Sequence, residues 1–395
     1  MDVWINSLNE KDYLNDNYGI IELAHGVPVF EERYIRLSRA NSSSNFFYPI
    51  PEEQAIETKE GKKTLADFKF TQNGDSNPFD YSRNKNCLSI DFNHIASFEK
   101  AFSCFNKKWD DETKKELACI ADEVAEEFLS TLKDGTPRFN GEMFGVSSFI
   151  EKRYDIQEAP GVEITFYKTD YFTYRVFSKF FAKHKKELFK KYNHTLTAQQ
   201  INCLAYPFLS SFGVACLIVV SFNDLNMKIQ PYDTILLGKR SNNVVVDKNK
   251  LHFSMNEALS TNDTNNSETP SFREAGDRGL QEELGLFRDT IKGAVFGDYG
   301  FLDFCIDSNK GEMGVTCYVK VSLDPNKKTI EDFKNDFLVC YKRSKDGRLE
   351  TTGFVAVRVC EIEAFKNKNR KRMSKGLLAA LDRFKERTSE PTQMI

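Results

Sequence analysis

Apolar positions recur at helical spacing most clearly between Trp109 and Lys133, where Leu117, Ile120, Ala121, Val124, Phe128, Leu129 and Leu132 share one face. Asp110 to Glu112 place acids in the first turn, where the helix dipole favours them, so an amphipathic helix is predicted there. A second helix is predicted after Thr169-Asp170, with Phe172, Val176, Phe180 and Leu188 on its apolar face. Lys183, Lys185, Lys186, Lys190 and Lys191 crowd its second half and read as a solvated face near a helix C-terminus. A third helix is predicted from about Thr197 and disturbed at Pro207. Residues 1–108 are aromatic-rich with short apolar runs broken by Asn-, Ser-, Gly- and Pro-rich stretches, a spacing that suits irregular β structure.

From Gly213 the texture changes. GVACLIVVSF reads as a buried strand, YDTILLGKRS as a second and NVVVDKNKLHFS as a third with a turn inside it. Residues 260–271, STNDTNNSETPS, have almost nothing to bury and are expected to form an exposed loop. Ser271 and Glu274 then make an S-x-x-E start signal for a helix from Phe272 to Leu284, which Gly285 stops. AVFGDYGFLDFCI, VTCYVKVSL and GFVAVRVCEI follow as strands, and a helix from Ser374 closes the chain. The reading is an α+β protein: an N-terminal α+β domain over residues 1–200, and a second domain over 205–390.

The chain length of 395 residues suits two domains, and 40% hydrophobic residues suit a folded core. A formal charge of −3 gives no general case for nucleic acid or a membrane surface as partner. The nine cysteines are scattered and never spaced C-x-x-C, which points to reduced thiols, and the five histidines show no helical ligand pair for zinc. No signal peptide is evident, and the apolar run from Gly213 to Val220 is far short of the roughly 20 residues a spanning helix needs. A soluble cytoplasmic protein is expected.

The chemistry concentrates in RGLQEELGL, residues 278–286. On a helix Arg278 and Glu282 meet on one face, and Glu283 projects roughly 100° further round. Neighbouring carboxylates facing a pocket repel, and a hard divalent cation with oxygen ligands relieves that repulsion. Arg278, Leu280, Glu282, Glu283, Gly285 and Leu286 resemble the second half of the Nudix box, G-x5-E-x7-R-E-U-x-E-E-x-G-U, with U a bulky aliphatic residue. TILLGKRS before the helix and the strands and closing helix after it are similar to that superfamily's arrangement over residues 205–390.

The resemblance implies an α/β/α sandwich with a mixed sheet, and cleavage of a phosphoanhydride in a nucleoside diphosphate-linked substrate. It implies Mg²⁺ or Mn²⁺ held by Glu282 and Glu283, with Arg278 orienting a carboxylate. The departures are specific. The box glutamate after the arginine is Gly279, and the upstream glutamate and glycine positions hold Pro270 and Thr264. Glycine within a helix signals a close approach by another group, and Glu257, in the preceding segment, is the candidate to return the missing carboxylate; Glu274 is a lesser one. The alternative implied by the departures is a catalytically degenerate domain that binds a nucleotide-type small molecule as a sensor or scaffold. Glu312 and Glu350 are further loop acids, Tyr299, Phe301 and Phe304 read as strand core, and residues 366–372, KNKNRKR, as a solvated loop.

Overall fold

An apolar run without alternation needs cover on both faces, and Gly213–Val220 finds it at the centre of a mixed sheet. The computed structural model describes residues 20–24, 30, 32–46, 55–58, 61–64, 88–90, 95–133, 141–156, 158–191, 198–221, 229–242, 247–287, 290–307, 310–324, 329–344 and 347–388. Its strands are β1 (Ile20–Ala24), β2 (Ile35–Phe46), β3 (Ala55–Thr58), β4 (Gly61–Thr64), β5 (Leu88–Ile90), β6 (Glu142–Tyr154), β7 (Ala159–Asp170), β8 (Phe212–Ser221), β9 (Thr234–Arg240), β10 (Leu251–His252), β11 (Met255–Ala258), β12 (Ala294–Asp307), β13 (Glu312–Leu323) and β14 (Thr351–Arg358). Its α-helices are α1 (Ile95–Ser103), α2 (Asp111–Lys133), α3 (Tyr171–Lys191), α4 (Ala198–Phe208), α5 (Phe272–Leu284), α6 (Ile330–Lys342), α7 (Gly347–Glu350), α8 (Ile362–Asn369) and α9 (Lys375–Thr388). The fold is α+β.

The larger sheet runs β1-β12-β13-β8-β9-β10, with β11 also on β8 and β14 on β9. Only β13 and β8 pair in parallel among these. Strand alternation divides β8 between two layers. Val214, Cys216, Ile218 and Val220 join the core that holds Phe272, Leu280 and Leu284 of α5. Ala215, Leu217 and Val219 meet Leu377, Ala380, Leu381 and Phe384 of α9. Helices thus cover both faces.

The smaller sheet, β5-β2-β7-β6, carries α2, α3 and α4 through the same core as α5. The predicted faces appear there: Leu117, Val124 and Phe128 of α2 and Phe172, Val176, Phe180 and Leu188 of α3 are buried. The lysine stripe on α3 is less solvated than expected, because Lys185 is buried and Lys183 pairs with Glu116 of α2 at 2.6 Å. The helix predicted from Thr197 is α4, interrupted at Tyr206. Contacts cross the boundary expected between residues 200 and 205. β1 pairs antiparallel with β12, and the Phe212 and Phe272 rings stack at 5.0 Å while Phe166 meets Phe272 edge-on at 6.3 Å.

The ends of α5 are set locally. The Ser271 side chain accepts from Glu274 N at 3.3 Å, and Gly285 takes φ +66° while its N–H donates to Gln281 O at 2.9 Å, a left-handed glycine closure. A Cβ at Gly285 would lie 2.2 Å from the Cys340 carbonyl oxygen. Gly285→Ala is therefore expected to lower stability by about 1–2 kcal/mol from the left-handed backbone alone, with the clash adding to it. Urea unfolding measures this; an unchanged midpoint would contradict the assigned closure.

Candidate functional site

β11 lies antiparallel to β8, with Glu257 opposite Val214. Alternation turns Met255 and Glu257 together toward α5. There α5 presents Gly279: a Cβ at that position would stand 2.6 Å from Glu257 Cγ and 2.6 Å from Met255 Sδ. The absent side chain is what lets strand and helix meet so closely, and Glu257 occupies the space where a residue 279 side chain would begin.

Arg278, next along the helix, gathers the acids. Its Nη1 donates to Glu257 Oε2 at 2.8 Å and to Glu282 Oε2 at 3.0 Å. Its Nε and Nη2 donate to the two oxygens of Asp263 at 2.8 and 2.9 Å, and Nη2 also donates to Ala258 O at 2.8 Å. Burial of the guanidinium opposes its charge, but Asp263 and Glu257 outweigh that and raise its pKa. Glu283, on the buried side of the helix, accepts from Asn256 N at 2.9 Å.

Burial raises the Glu257 carboxyl from 4.5 to about 7; Arg278 pulls it down, and Glu282 and Glu350 push it up. Burial, then the charges of Glu257 and Glu350, raise Glu283 well above the ordinary carboxyl range. Glu350 itself lies at the end of α7, with Oε2 3.5 Å from Arg240 Nη2. Arg278, Glu282, Glu283 and Glu257, all singled out in the sequence, are thus brought together with Glu350.

Asp263 and Arg240 escaped the sequence reading. The polar stretch 260–271 is not simply an exposed loop, because Asp263 is 2% exposed and grips Arg278 from fifteen residues away. Its only local signal is the turn in which Ser260 N donates to Asp263 Oδ2 at 2.7 Å. Other candidates lie elsewhere. Glu312 accepts from Ser211 Oγ at 3.0 Å. Tyr299, Phe301 and Phe304 are core. The 366–372 run is a helix end and a 3-10 turn rather than a loop. Glu274 lines an open groove of about 450 Å³ along the outer face of α5, with Asp263, Asp277, Arg278, Gln281 and Phe287.

The side chains bonded to Arg278 offer oxygen donors, which is the donor chemistry of a hard divalent cation. Burial first, and neighbouring acids after it, raise the Glu257 and Glu283 carboxyls, and a cation beside them would favour their charged forms. As they stand, no three acidic, histidine or cysteine side chains among the described residues converge on one point that would hold an ion; Arg278 stands between Glu257 and Glu282.

No family model matches the chain, and no curated protein does. Among solved structures, the crystal structure of DR0079 from Deinococcus radiodurans is similar at 16% identity over 44% of this chain and 82% of that one. Its TM-score of 0.27 is too low to support an argument. Among the described residues no helix is long and apolar enough to cross a membrane.

The raised Glu257 carboxyl has a direct consequence for stability. Between pH 4.5 and about 7 the folded protein keeps a proton there that the unfolded chain has released. Stability from this group is therefore full below pH 4.5 and is lost as pH rises through about 7. Urea unfolding at a series of pH values is expected to show Glu257→Gln gaining on the wild type as pH rises across that window. A stability difference that does not change with pH would contradict the assignment.

Proposed function

We propose that the chain is a Nudix-like hydrolase that uses Mg²⁺ or Mn²⁺ to cleave a phosphoanhydride in a nucleoside diphosphate-linked substrate. The observation that carries this reading is the position of Glu257 in the space left by Gly279, beside Arg278, Glu282 and Glu283. The carboxylate missing from the helix is returned by the neighbouring strand. A cytoplasmic setting, where nucleotides and reduced thiols coexist, belongs to the same reading.

The chain's own residues have separable tasks. Glu282 and Glu283 would hold the cation, and Glu257, held by Arg278, would act beside them. When bound, a divalent cation supplies charge that offsets phosphate oxygens and makes a water more acidic. Arg278 fixes Glu257 and Glu282 relative to each other through one nitrogen, and Asp263 fixes Arg278. The groove beside α5, with Phe287 half exposed at its edge, gives room for a nucleotide-sized group.

A second reading is favoured by one observation: Arg278 is fully engaged within the protein, as in a rigid ligand-binding scaffold. In that case a nucleotide raises the melting temperature without product or metal.

Incubation with ADP-ribose, dinucleotide polyphosphates and nucleoside triphosphates plus Mg²⁺ or Mn²⁺ separates the two. Turnover is expected, with Glu282→Gln lowering it by about 10- to 100-fold or more. Glu257→Ala is expected to remove activity, and adding Gly279→Glu to it gives no rescue, because a Cβ at residue 279 would still stand 2.6 Å from Met255 Sδ. No turnover across the panel, or turnover indifferent to Glu282→Gln, would overturn the hydrolase reading.

A further inference from the structure

An arginine offers five N–H donors, and Arg278 directs all of its own to Asp263, Glu257, Glu282 and the Ala258 carbonyl. It has none left for a ligand. A phosphate approaching these acids needs positive charge from elsewhere, and the same end of the sheet supplies it.

Arg240 closes β9, where its N donates to Lys250 O at 2.9 Å and Thr351 of β14 stands opposite. Ile235 and Leu237 point to the α9 side, so alternation sends Arg240 to the α5 side, toward Glu283 and Glu350. The contact with Glu350, Nη2 to Oε2 at 3.5 Å, is at the limit of a hydrogen bond. Arg240 Nε is buried and has no hydrogen-bond partner among the described residues. An unmet buried donor is unfavourable, and an acceptor arriving with a ligand recovers that loss.

Lys310 reaches this end of the sheet from the turn between β12 and β13. Register places it there: Met313 pairs with Phe212, and two residues along β8 Val214 pairs with Glu257. Its Nζ forms ion pairs with Asp307 at 3.7 Å and Glu312 at 3.6 Å, both too long for a hydrogen bond, and its side chain is 32% exposed. Lys250 is already bonded to Asp247 at 2.7 Å. Burial, followed by the positive field of Arg240, Lys310 and Lys250, lowers the His252 pKa.

We propose that Arg240 and Lys310 bind the phosphoryl oxygens of a diphosphate ligand whose neighbouring atoms lie toward Glu257 and Glu282. The planar guanidinium suits two oxygens at once, and the lysine supplies a point charge. The fate of the bound diphosphate rests on the hydrolase reading, to which the proposal adds the side chains that receive the anion.

Imidodiphosphate, which resists hydrolysis, is titrated calorimetrically into the full chain with and without Mg²⁺, beside the turnover panel. The wild type is expected to bind, Arg240→Gln and Lys310→Gln each to weaken binding by about ten- to a hundredfold, and Glu350→Gln to tighten it by freeing Nη2. Lys310→Gln alters a partly exposed turn residue, so its unfolding midpoint should match the wild type and its binding loss cannot be ascribed to misfolding. Absence of wild-type binding in both conditions, or unchanged affinity in both cation variants, overturns the proposal even where turnover is found. Binding that depends on Arg240 and Lys310 in a protein without turnover upholds the anion site and removes only the hydrolase reading.

Discussion

One guanidinium organises the polar end of the large sheet. Arg278 ties three separate pieces of chain together: β11 through Glu257 and Ala258, the 260–271 segment through Asp263, and its own helix through Glu282. Each contact is a charge-assisted or carbonyl hydrogen bond at 2.8–3.0 Å. Such bonds are roughly twice as strong as neutral ones, and Asp263 meets the guanidinium with both oxygens, which fixes its plane. Without that central charge Glu257 and Glu282 would face each other across a part-buried gap, so segments 255–263 and 272–284 hold together by electrostatics as well as by their apolar faces.

Glycine sets how closely those pieces approach. Gly276 and Gly279 lie three apart on α5, and a Cβ on either would meet a neighbour at 2.6 Å, the Tyr299 ring for the first and Met255 and Glu257 for the second. Each glycine costs a helix about 1 kcal/mol relative to alanine. Close seating on the sheet offsets that cost through burial of Met255 and Leu280. The same closeness brings Glu283 to the Asn256 N–H. Packing and site are one constraint here, since the substitution that would restore a box-like helix would also lift that helix off the strand.

Legibility in the sequence tracks how local each signal is. Periodicity identified the buried faces of α2 and α3 and the unbroken apolar run of β8, because burial repeats within a few residues. The glycine gap and Glu257 were legible because a helix has fixed geometry and the missing side chain had a known place. Asp263 was not legible: its neighbours are polar, and its importance depends on a residue fifteen positions away. Arg240 looks like any basic residue closing a strand, and only the folded arrangement leaves its Nε unpaired. The pairing of β1 with β12 sets Ile20 opposite Asp307, beyond the reach of any local pattern.

Two arginines of similar burial, 24% and 19% exposed at the side chain, therefore carry opposite meanings. The difference lies in how their donors are used. Arg278 is satisfied in all five N–H groups, and its pKa is raised by the acids that hold it. Such a residue organises and has nothing left to offer. Among the described residues the Arg240 side chain has one long contact and a buried, unmet donor beside the same acids. A cluster of ionised carboxylates repels anions, and an arginine already neutralised by those carboxylates does not reverse the repulsion. Any anionic group that enters must be met by a cation whose donors remain available, and that requirement separates the residue that builds the acid cluster from the residue placed to receive a ligand.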